Sequence, residues 1–392
     1  MRRSLLIMCR RKSANTSWKN SRYPPFRKTR HRMVKNGIMD NLAFDLPEED
    51  NSLPPPQANM LLLGHDKAEK LLAKEIAAGR LPHALMIAGP KGIGKATLAF
   101  RLARYLLAGK AEEDASGLFG DAAPAESLAV DAEDRAAKLV AAGSHPNLFY
   151  IRPTDIDSIK NTKRANPFIG VSEARITRDF LSHTPSEKGW RVVLIDGAED
   201  MRLDAQNALL KTLEEPPAKT VIILVTTAPG RFLPTVHSRC RMLPLTGLSD
   251  ADMECLLDRA LPDLSKEEKS GLLALADGSI GEALSLHETG GAEIYQDILS
   301  LLSGFSEADA HKLAAELAAK KDRFPLFMEI LLKILSRAAK QTLVDAETGF
   351  TQKAPQKWFK IWEDVKACYE SCDYANLDRQ TACLRIFDLI RS

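Results

Sequence analysis

The sequence has no uninterrupted apolar stretch that approaches the roughly 18 residues of a membrane-spanning helix. Its six cysteines are too few and too scattered for a disulfide framework in a chain of 392 residues. None of them forms a CxxC pair, and none lies between Cys9 and Cys240, so we expect no zinc site. These absences favour a cytoplasmic protein with no membrane partner.

The composition is that of a globular protein, because 45% of the residues are apolar and 27% are charged. The length favours two or three domains. The net charge of +2 conceals an asymmetry, since residues 1–39 hold 12 Lys and Arg and no Asp or Glu. The rest of the chain therefore has a net charge of −10, which disfavours electrostatic binding of DNA over the whole surface of the protein.

The basic N-terminal segment has two interpretations. We favour an over-long start, with translation beginning at Met33 or Met39 rather than at Met1. The apolar stretch at 5–9 is shorter than the apolar core of a secretory signal, which disfavours that kind of segment. The alternative to the over-long start is an Arg-rich presequence or a DNA-binding arm. The SLPPPQ segment at 52–57 predicts an extended linker, since its three prolines exclude a helix.

Three short apolar runs, at 85–88, 191–196 and 220–227, predict strands, and the last two are typical of strands that are buried on both faces of a parallel sheet. The last two runs are rich in β-branched residues. A helix predicted between them, at 204–215, is ended by a pair of prolines. Strand, helix and strand in succession predict an α/β domain with a parallel sheet.

From about residue 250 onward, apolar residues recur at i, i+3 and i+4, which predicts helices. An insert at 111–142 is rich in Ala, Asp and Glu and is predicted to be helical or partly disordered, with no readable role. The predicted organisation is a tail and linker at 1–58, disordered or partly untranslated, an α/β domain at 59–246, a small helical domain at 247–286 and a larger one at 287–392.

A phosphate-binding loop is predicted from Gly89 to Lys95, which fits GxxxxGK and stands between a predicted strand and a predicted helix. Gly89, Gly92 and Gly94 let consecutive backbone N–H groups converge on phosphate oxygens. The following helix N-terminus adds the positive end of its dipole, and Lys95 would reach the β- and γ-phosphates.

Two parts of an ATPase site are missing from the sequence. The position after Lys95 should carry a hydroxyl for Mg²⁺ but is Ala96, and Thr97 lies about 100° further around the helix. Thr97 is a poor substitute that we still count among the candidate site residues. Asp196 is the candidate metal-shell carboxylate, whereas Gly197 occupies the place of a water-activating glutamate. Glu199 and Asp200 are expected near the surface.

Loss of a metal ligand and a general base together predicts a site that binds ATP or ADP weakly and turns ATP over negligibly. A single positioned base contributes about 10²–10⁴-fold to a rate. The alternative is that other residues compensate, which would make the chain an active ATPase or P-loop phosphotransferase. A plain DNA-binding module acting through residues 1–38 is a second alternative.

Four segments carry a family resemblance. They are GRLPHALMIAGPKGIGKATLA, SHPNLFYI, RVVLIDGAEDMRLDAQNALLKTLEEPP and LPTVHSRCRMLPL. Together they resemble the clamp-loader branch of the AAA+ ATPases, over roughly residues 60–392 and most strongly at 80–110 and 171–245. The resemblance implies an α/β P-loop (RecA-like, AAA+) domain, then a small helical lid and an all-α C-terminal collar that oligomerises.

The resemblance also implies roles for single residues. The loop from Gly89 to Lys95 matches Walker A, and Asp196 matches the Walker B aspartate. Thr226 or Thr227 matches the sensor-1 position near the γ-phosphate, and Thr227 is our choice. Arg239, in the triplet Ser-Arg-Cys, matches the arginine finger that reaches into a neighbouring subunit's ATP site. Such a guanidinium is worth about 10³–10⁵ in rate in related NTPases.

Departures from the family pattern imply a stator rather than a motor subunit. Motor subunits carry Thr or Ser in place of Ala96 and Glu in place of Gly197. They also carry a sensor-2 arginine at the end of the segment that matches 278–282, and this chain has Glu282 at that position. The implied partners are motor (gamma/tau) and delta subunits, with the sliding clamp and primed DNA reached through the complex. This chain would be an accessory subunit of a DNA polymerase holoenzyme, and an active motor ATPase is the alternative.

Overall fold

The computed structural model describes residues 53–111, 127–156, 163–183, 185, 189–304, 306–320, 323–340, 354–375 and 378–391. The predictions for the basic tail fall on residues 1–52, which lie outside the described residues. Residues 112–126 of the acidic insert also lie outside them, so its predicted structure is tested only in part.

Five parallel strands form the central sheet, in the order β2-β5-β6-β1-β7, and β3 and β4 form a separate antiparallel pair. The strands are β1 (Ala84–Ala88), β2 (Leu148–Ile151), β3 (Thr154–Ile156), β4 (Lys163–Phe168), β5 (Arg191–Asp196), β6 (Thr220–Thr226) and β7 (Arg241–Pro244). The predicted parallel α/β sheet is confirmed. The predicted strands are β1, β5 and β6, whereas β2, β3, β4 and β7 were not predicted. In β7, three of the four residues are exposed at the sheet edge and the sequence has no apolar run.

Helices cover both faces of this sheet. They are α1 (Asp66–Ala77), α2 (Lys95–Leu107), α3 (Arg135–Ala141), α4 (Val171–Ser182), α5 (Leu203–Glu214) and α6 (Pro234–His237). Side chains of α1 and α2, such as Leu72 and Leu98, pack into a core on one face. Side chains of α4 and α5, such as Ala174 and Leu209, pack into a core on the other. Two-sided burial explains why β1, β5 and β6 are continuous apolar runs.

After β7, every element among the described residues is a helix. The helices are α7 (Asp250–Ala260), α8 (Lys266–Ala276), α9 (Ile280–Glu288), α10 (Gly291–Gly304), α11 (Glu307–Ala319), α12 (Arg323–Ala339), α13 (Pro355–Ala375) and α14 (Arg379–Arg391). Their apolar side chains form one hydrophobic cluster that extends from Leu248 to Ile390. Among the helices that the structure describes, none combines the length and apolar character needed to cross a bilayer.

The predicted fold class is therefore confirmed: a P-loop α/β domain precedes an all-helical region. We call helices α7–α9 the lid. Lid and later helices share the hydrophobic cluster, and Glu282 of α9 pairs with Lys333 of α12, Oε1 to Nζ 3.3 Å. The predicted division at residue 287 stays a prediction.

Candidate functional site

The loop between β1 and α2 has the backbone that the glycine pattern predicts. Gly92 and Gly94 have φ of +76° and +97°, in the left-handed region that favours glycine. Gly89 faces the backbone of the residue after β7, because a Cβ there would lie 2.4 Å from the carbonyl oxygen of Leu245. This curled, glycine-lined loop at a helix N-terminus is a cradle that fits phosphate groups.

Lys95 lies under this loop and is only 6% exposed. Its Nζ donates a hydrogen bond to the carbonyl oxygen of Pro90 at 2.5 Å. Burial lowers the pKa of Lys95, and the negative charges of Glu199 and then Asp196 oppose that shift. The ammonium therefore lies in the loop with two carboxylates close enough to act on it.

The lid contacts the phosphate loop directly. Ser279 Oγ donates to the carbonyl oxygen of Lys91 at 2.8 Å, and the backbone N–H of Gly281 donates to that of Gly92 at 3.1 Å. Gly281 and Gly92 face each other so closely that a Cβ on Gly281 would lie 2.9 Å from the Cα of Gly92. Two glycines thus let the start of α9 rest on the loop.

Asp196 ends β5 beside the loop. Its Oδ1 accepts from the backbone N–H of Gly197 at 3.0 Å, and its Oδ2 accepts from the Tyr150 hydroxyl of β2 at 3.4 Å. Burial raises the pKa of Asp196, against the opposing effects of the Gly197 N–H, the Lys95 charge and the Tyr150 hydroxyl. Tyr150 therefore occupies one oxygen of the carboxylate that was predicted to serve a metal.

The ends of β5 and β6 are joined by Glu199. The Thr227 hydroxyl donates to Glu199 Oε1 at 2.6 Å. Burial alone would raise the pKa of Glu199, but hydrogen bonds from Thr227, from the Thr226 hydroxyl and from nearby backbone N–H groups leave it below its ordinary value. The carboxylate is therefore ionised at neutral pH. Glu199 is half-buried and Asp200 is exposed, so both lie near the surface as expected, but Glu199 also takes part in the site.

The surroundings of Asp196 are a poor fit for Mg²⁺. Ala96 offers no ligand, and Thr97 is buried in α2 at 9% exposure. Within the described residues, no group of three or more His, Cys, Asp or Glu side chains could together hold a metal ion. A role for Thr97 in nucleotide binding stays a prediction.

Arg239 lies on the segment that follows α6 and is bound to its own chain by three contacts. Its Nη2 lies 2.5 Å from Glu214 Oε1 at the end of α5, and its Nη1 donates to the Thr235 carbonyl oxygen at 2.8 Å and to Ser238 Oγ at 3.3 Å. The side chain is 33% exposed. None of these partners belongs to the phosphate loop or to the strand ends beside it, so Arg239 makes its contacts away from the chain's own P-loop.

A sequence model of the family described as "DNA polymerase III, delta subunit" matches residues 64–249. This range contains the phosphate loop, the strand ends with Asp196 and Glu199, and Arg239. A protein of Pseudomonas aeruginosa named DNA polymerase III subunit delta' is 39% identical over 210 residues, covering 53% of this chain and 56% of that protein. This part of the chain is similar in sequence to DNA polymerase III delta' subunits.

Two Bacillus subtilis proteins extend the comparison. Its subunit delta' is 32% identical over 217 residues, covering 55% of this chain and 57% of that protein. Its subunit tau is 27% identical over 277 residues, covering 68% of this chain and 44% of that protein. The chain thus spans less than three-fifths of the length of the delta' relatives. The chain is a homologue of both delta' and gamma/tau subunits and resembles delta' more closely.

A crystal structure of a gamma subunit-related protein from Thermotoga maritima superposes with a TM-score of 0.36 at 16% identity, covering 82% of this chain and 98% of that one. A superposition this loose adds nothing to the delta' assignment.

Three residues of the site were missed by sequence reasoning. Tyr150 reaches Asp196 because β2 lies next to β5 in the sheet, with Tyr150 opposite Leu194, and the sequence does not give that strand order. Glu199 turns inward because a 3₁₀ turn at Ala198–Asp200 follows the left-handed Gly197, φ +65°. Gly281 was visible in the segment Gly-Ser-x-Gly, but its contact with the loop required the lid's position.

Proposed function

We propose that this chain is the delta' (stator) subunit of a bacterial clamp loader within the DNA polymerase III holoenzyme. In that role it helps the ATP-driven loader place the sliding clamp on primed DNA during replication. Its partners are the motor (gamma/tau) and delta subunits, and the C-terminal helices form the collar through which it assembles with them. The names of the delta' relatives support this assignment.

The proposal rests on a contrast between two parts of the chain. The partly exposed guanidinium of Arg239 lies away from the chain's own phosphate loop, and that loop lacks the metal ligand and the general base that ATP hydrolysis needs. Arg239 is oriented by three contacts and still presents a third of its surface. The loop has Ala96 where a metal ligand belongs, and Asp196 is followed by Gly197 where a base belongs. A subunit with this division of parts assists a neighbour's ATP site and leaves its own nearly idle.

The test is steady-state ATP turnover in the presence of clamp and primed DNA. It compares this chain alone, the motor and delta subunits without it, and the full mixture made with wild-type chain or with Arg239→Ala. Arg241→Ala is the matched control, because Arg241 is two residues away, half-exposed and paired with Glu75 instead. We expect no ATP turnover by the chain alone and clear turnover by the full mixture. The turnover of the mixture should fall severalfold with Arg239→Ala and stay unchanged with Arg241→Ala.

The second candidate function is an active motor clamp-loader ATPase. The 27% identity to subunit tau supports this alternative. Turnover near 1 s⁻¹ by the isolated chain would establish that alternative and overturn the stator proposal. A mixture that ignores both the chain and Arg239 would overturn the subunit assignment altogether.

A further inference from the structure

The end of β6 already holds an anion. The Glu199 carboxylate accepts from the Thr227 hydroxyl at 2.6 Å, and the Thr226 hydroxyl and the Thr227 N–H also stabilise its charge. These donors stand at the carboxyl end of a strand that pairs directly with β1, the strand leading into the phosphate loop. The backbone N–H of Gly89, the first residue of the loop, donates to the Thr226 carbonyl oxygen at 3.2 Å, so Glu199 occupies donors on the segment beside the loop.

Lys95 responds to the same carboxylate. Of the two negative charges that act on its ammonium, Glu199 has the larger effect and Asp196 the smaller. In a loaded P-loop the lysine's counter-charge comes from the β- and γ-phosphate oxygens. Here a fixed carboxylate supplies part of that counter-charge, so a third phosphate would bring further negative charge toward Glu199. Like charges a few ångströms apart in a partly buried site repel strongly.

A metal ion cannot readily offset that repulsion. In P-loop NTPases, Mg²⁺ bridges the β- and γ-oxygens and neutralises their charge with help from the hydroxyl after the loop lysine. Ala96 has no hydroxyl, and Tyr150 donates to Asp196 Oδ2. The parts that would make a triphosphate acceptable are therefore absent or engaged.

The parts that hold a diphosphate are present. Gly92 and Gly94 keep the loop curled, and Lys95 lies beneath it. The lid's two hydrogen bonds to the loop end on carbonyl oxygens, those of Lys91 and Gly92. A phosphate instead accepts from loop N–H groups, so the lid contacts do not compete with it for donors.

We propose that this phosphate loop takes a nucleoside diphosphate in preference to a triphosphate, without a requirement for Mg²⁺, and that Glu199 is the residue that selects between them. The inference rests on the proposed function only in assigning the chain's own loop to nucleotide binding. A subunit that keeps a diphosphate has nothing to hydrolyse, which agrees with an idle site.

The test uses the full chain and isothermal titration with ADP and with the non-hydrolysable triphosphate AMP-PNP, each with EDTA and with Mg²⁺. We expect ADP to bind at least tenfold more tightly than AMP-PNP, with its Kd unchanged by Mg²⁺ within about threefold. Glu199→Gln should tighten AMP-PNP binding about tenfold and leave ADP within threefold. Asp200→Asn is the matched control, because Asp200 lies on the same 3₁₀ turn but is exposed and faces Arg231.

Equal affinity of the wild-type chain for the two nucleotides would overturn the proposal, and so would failure to bind either one. Both outcomes are measured on the wild-type chain, so the proposal can be overturned even if Glu199→Gln fails to fold. An unchanged preference in folded Glu199→Gln would remove Glu199 as the selecting residue. Each of these failures leaves the Arg239 turnover comparison untouched, so failure of this inference and failure of the stator proposal are distinguishable.

Discussion

Glu214 holds the Arg239 guanidinium at the end of helix α5, with Glu214 Oε1 2.5 Å from Arg239 Nη2. The proline pair after Glu215 ends the helix, so Glu214 lies in its last turn. The two motifs that resemble clamp loaders here, LEEPP and SRC, are thereby joined by one ion pair. Within the proposed function, Glu214 is a positioning residue for the finger.

Glu214→Gln should lower the ATP turnover of the reconstituted loader severalfold, while the stability of the isolated chain changes by less than about 1 kcal/mol. The stability effect is small because both partners are partly exposed, 33% and 47%. Turnover and thermal unfolding are the two measurements. Glu215→Gln, one residue on and exposed, is the control. Wild-type turnover by Glu214→Gln would reduce the pair to an ordinary surface contact.

Gly281→Ala should loosen the lid from the phosphate loop. The added Cβ would meet the Cα of Gly92 at 2.9 Å, so one backbone must move, at a cost of about 1–3 kcal/mol. We expect a lower unfolding temperature and faster amide hydrogen exchange in α9. Gly230→Ala should change neither, because a Cβ there has nothing within 4 Å. Unaltered exchange in α9 of Gly281→Ala would mean that the contact does not hold the lid.

Glu69 should contribute to the free energy of unfolding at neutral pH, and this contribution should be lost at acid pH. Its Oε1 accepts from Arg101 Nε, Ser127 Oγ and the Leu128 N–H at 2.8, 2.8 and 2.6 Å. Burial would raise the pKa of Glu69, but these bonds and the Arg101 charge lower it below 4.5. A carboxyl whose folded-state pKa is depressed stabilises above its unfolded-state value, and this contribution is lost as pH falls through the folded-state value.

Glu69→Gln should therefore cost about 1–3 kcal/mol at pH 7 and flatten the loss of stability below about pH 4.5. Urea unfolding at a series of pH values measures both effects. Glu133→Gln is the control, since Glu133 is 81% exposed in its pair with Lys138 and should cost little. A steep acid transition that survives in Glu69→Gln would assign the pH dependence to other groups.

Arg104 should fix the segment that precedes α1. The side chain is 1% exposed, and its Nη1 and Nη2 donate to the carbonyl oxygens of Gln57 and Asn59 at 2.9 and 2.8 Å. Arg104→Met keeps the length but removes both bonds, so thermolysin should cut residues 53–61 severalfold faster. Arg80→Met, at an exposed arginine, should not alter cleavage. Equal cleavage of the two variants would show that other contacts hold the segment.

Much of the fold could be predicted because local pattern and tertiary environment agree. The strands at 191–196 and 220–226 are buried on both faces, so their sequences had to be apolar throughout. Helix α2 begins at Lys95, where the glycine loop ends. Strand β7 escaped prediction because an exposed edge strand needs no apolar pattern.

By itself the sequence determined the α/β class, the phosphate loop from Gly89 to Lys95 and the loss of its hydroxyl at Ala96, since these depend on residue type and spacing along one segment. Only the tertiary structure decided that Glu199 binds Thr227, that Gly281 meets Gly92, and that Glu214 holds Arg239. Each of these pairs joins segments that are far apart along the chain. Their meeting depends on strand order, on the turn after β5 and on the packing of the lid, which no local pattern encodes.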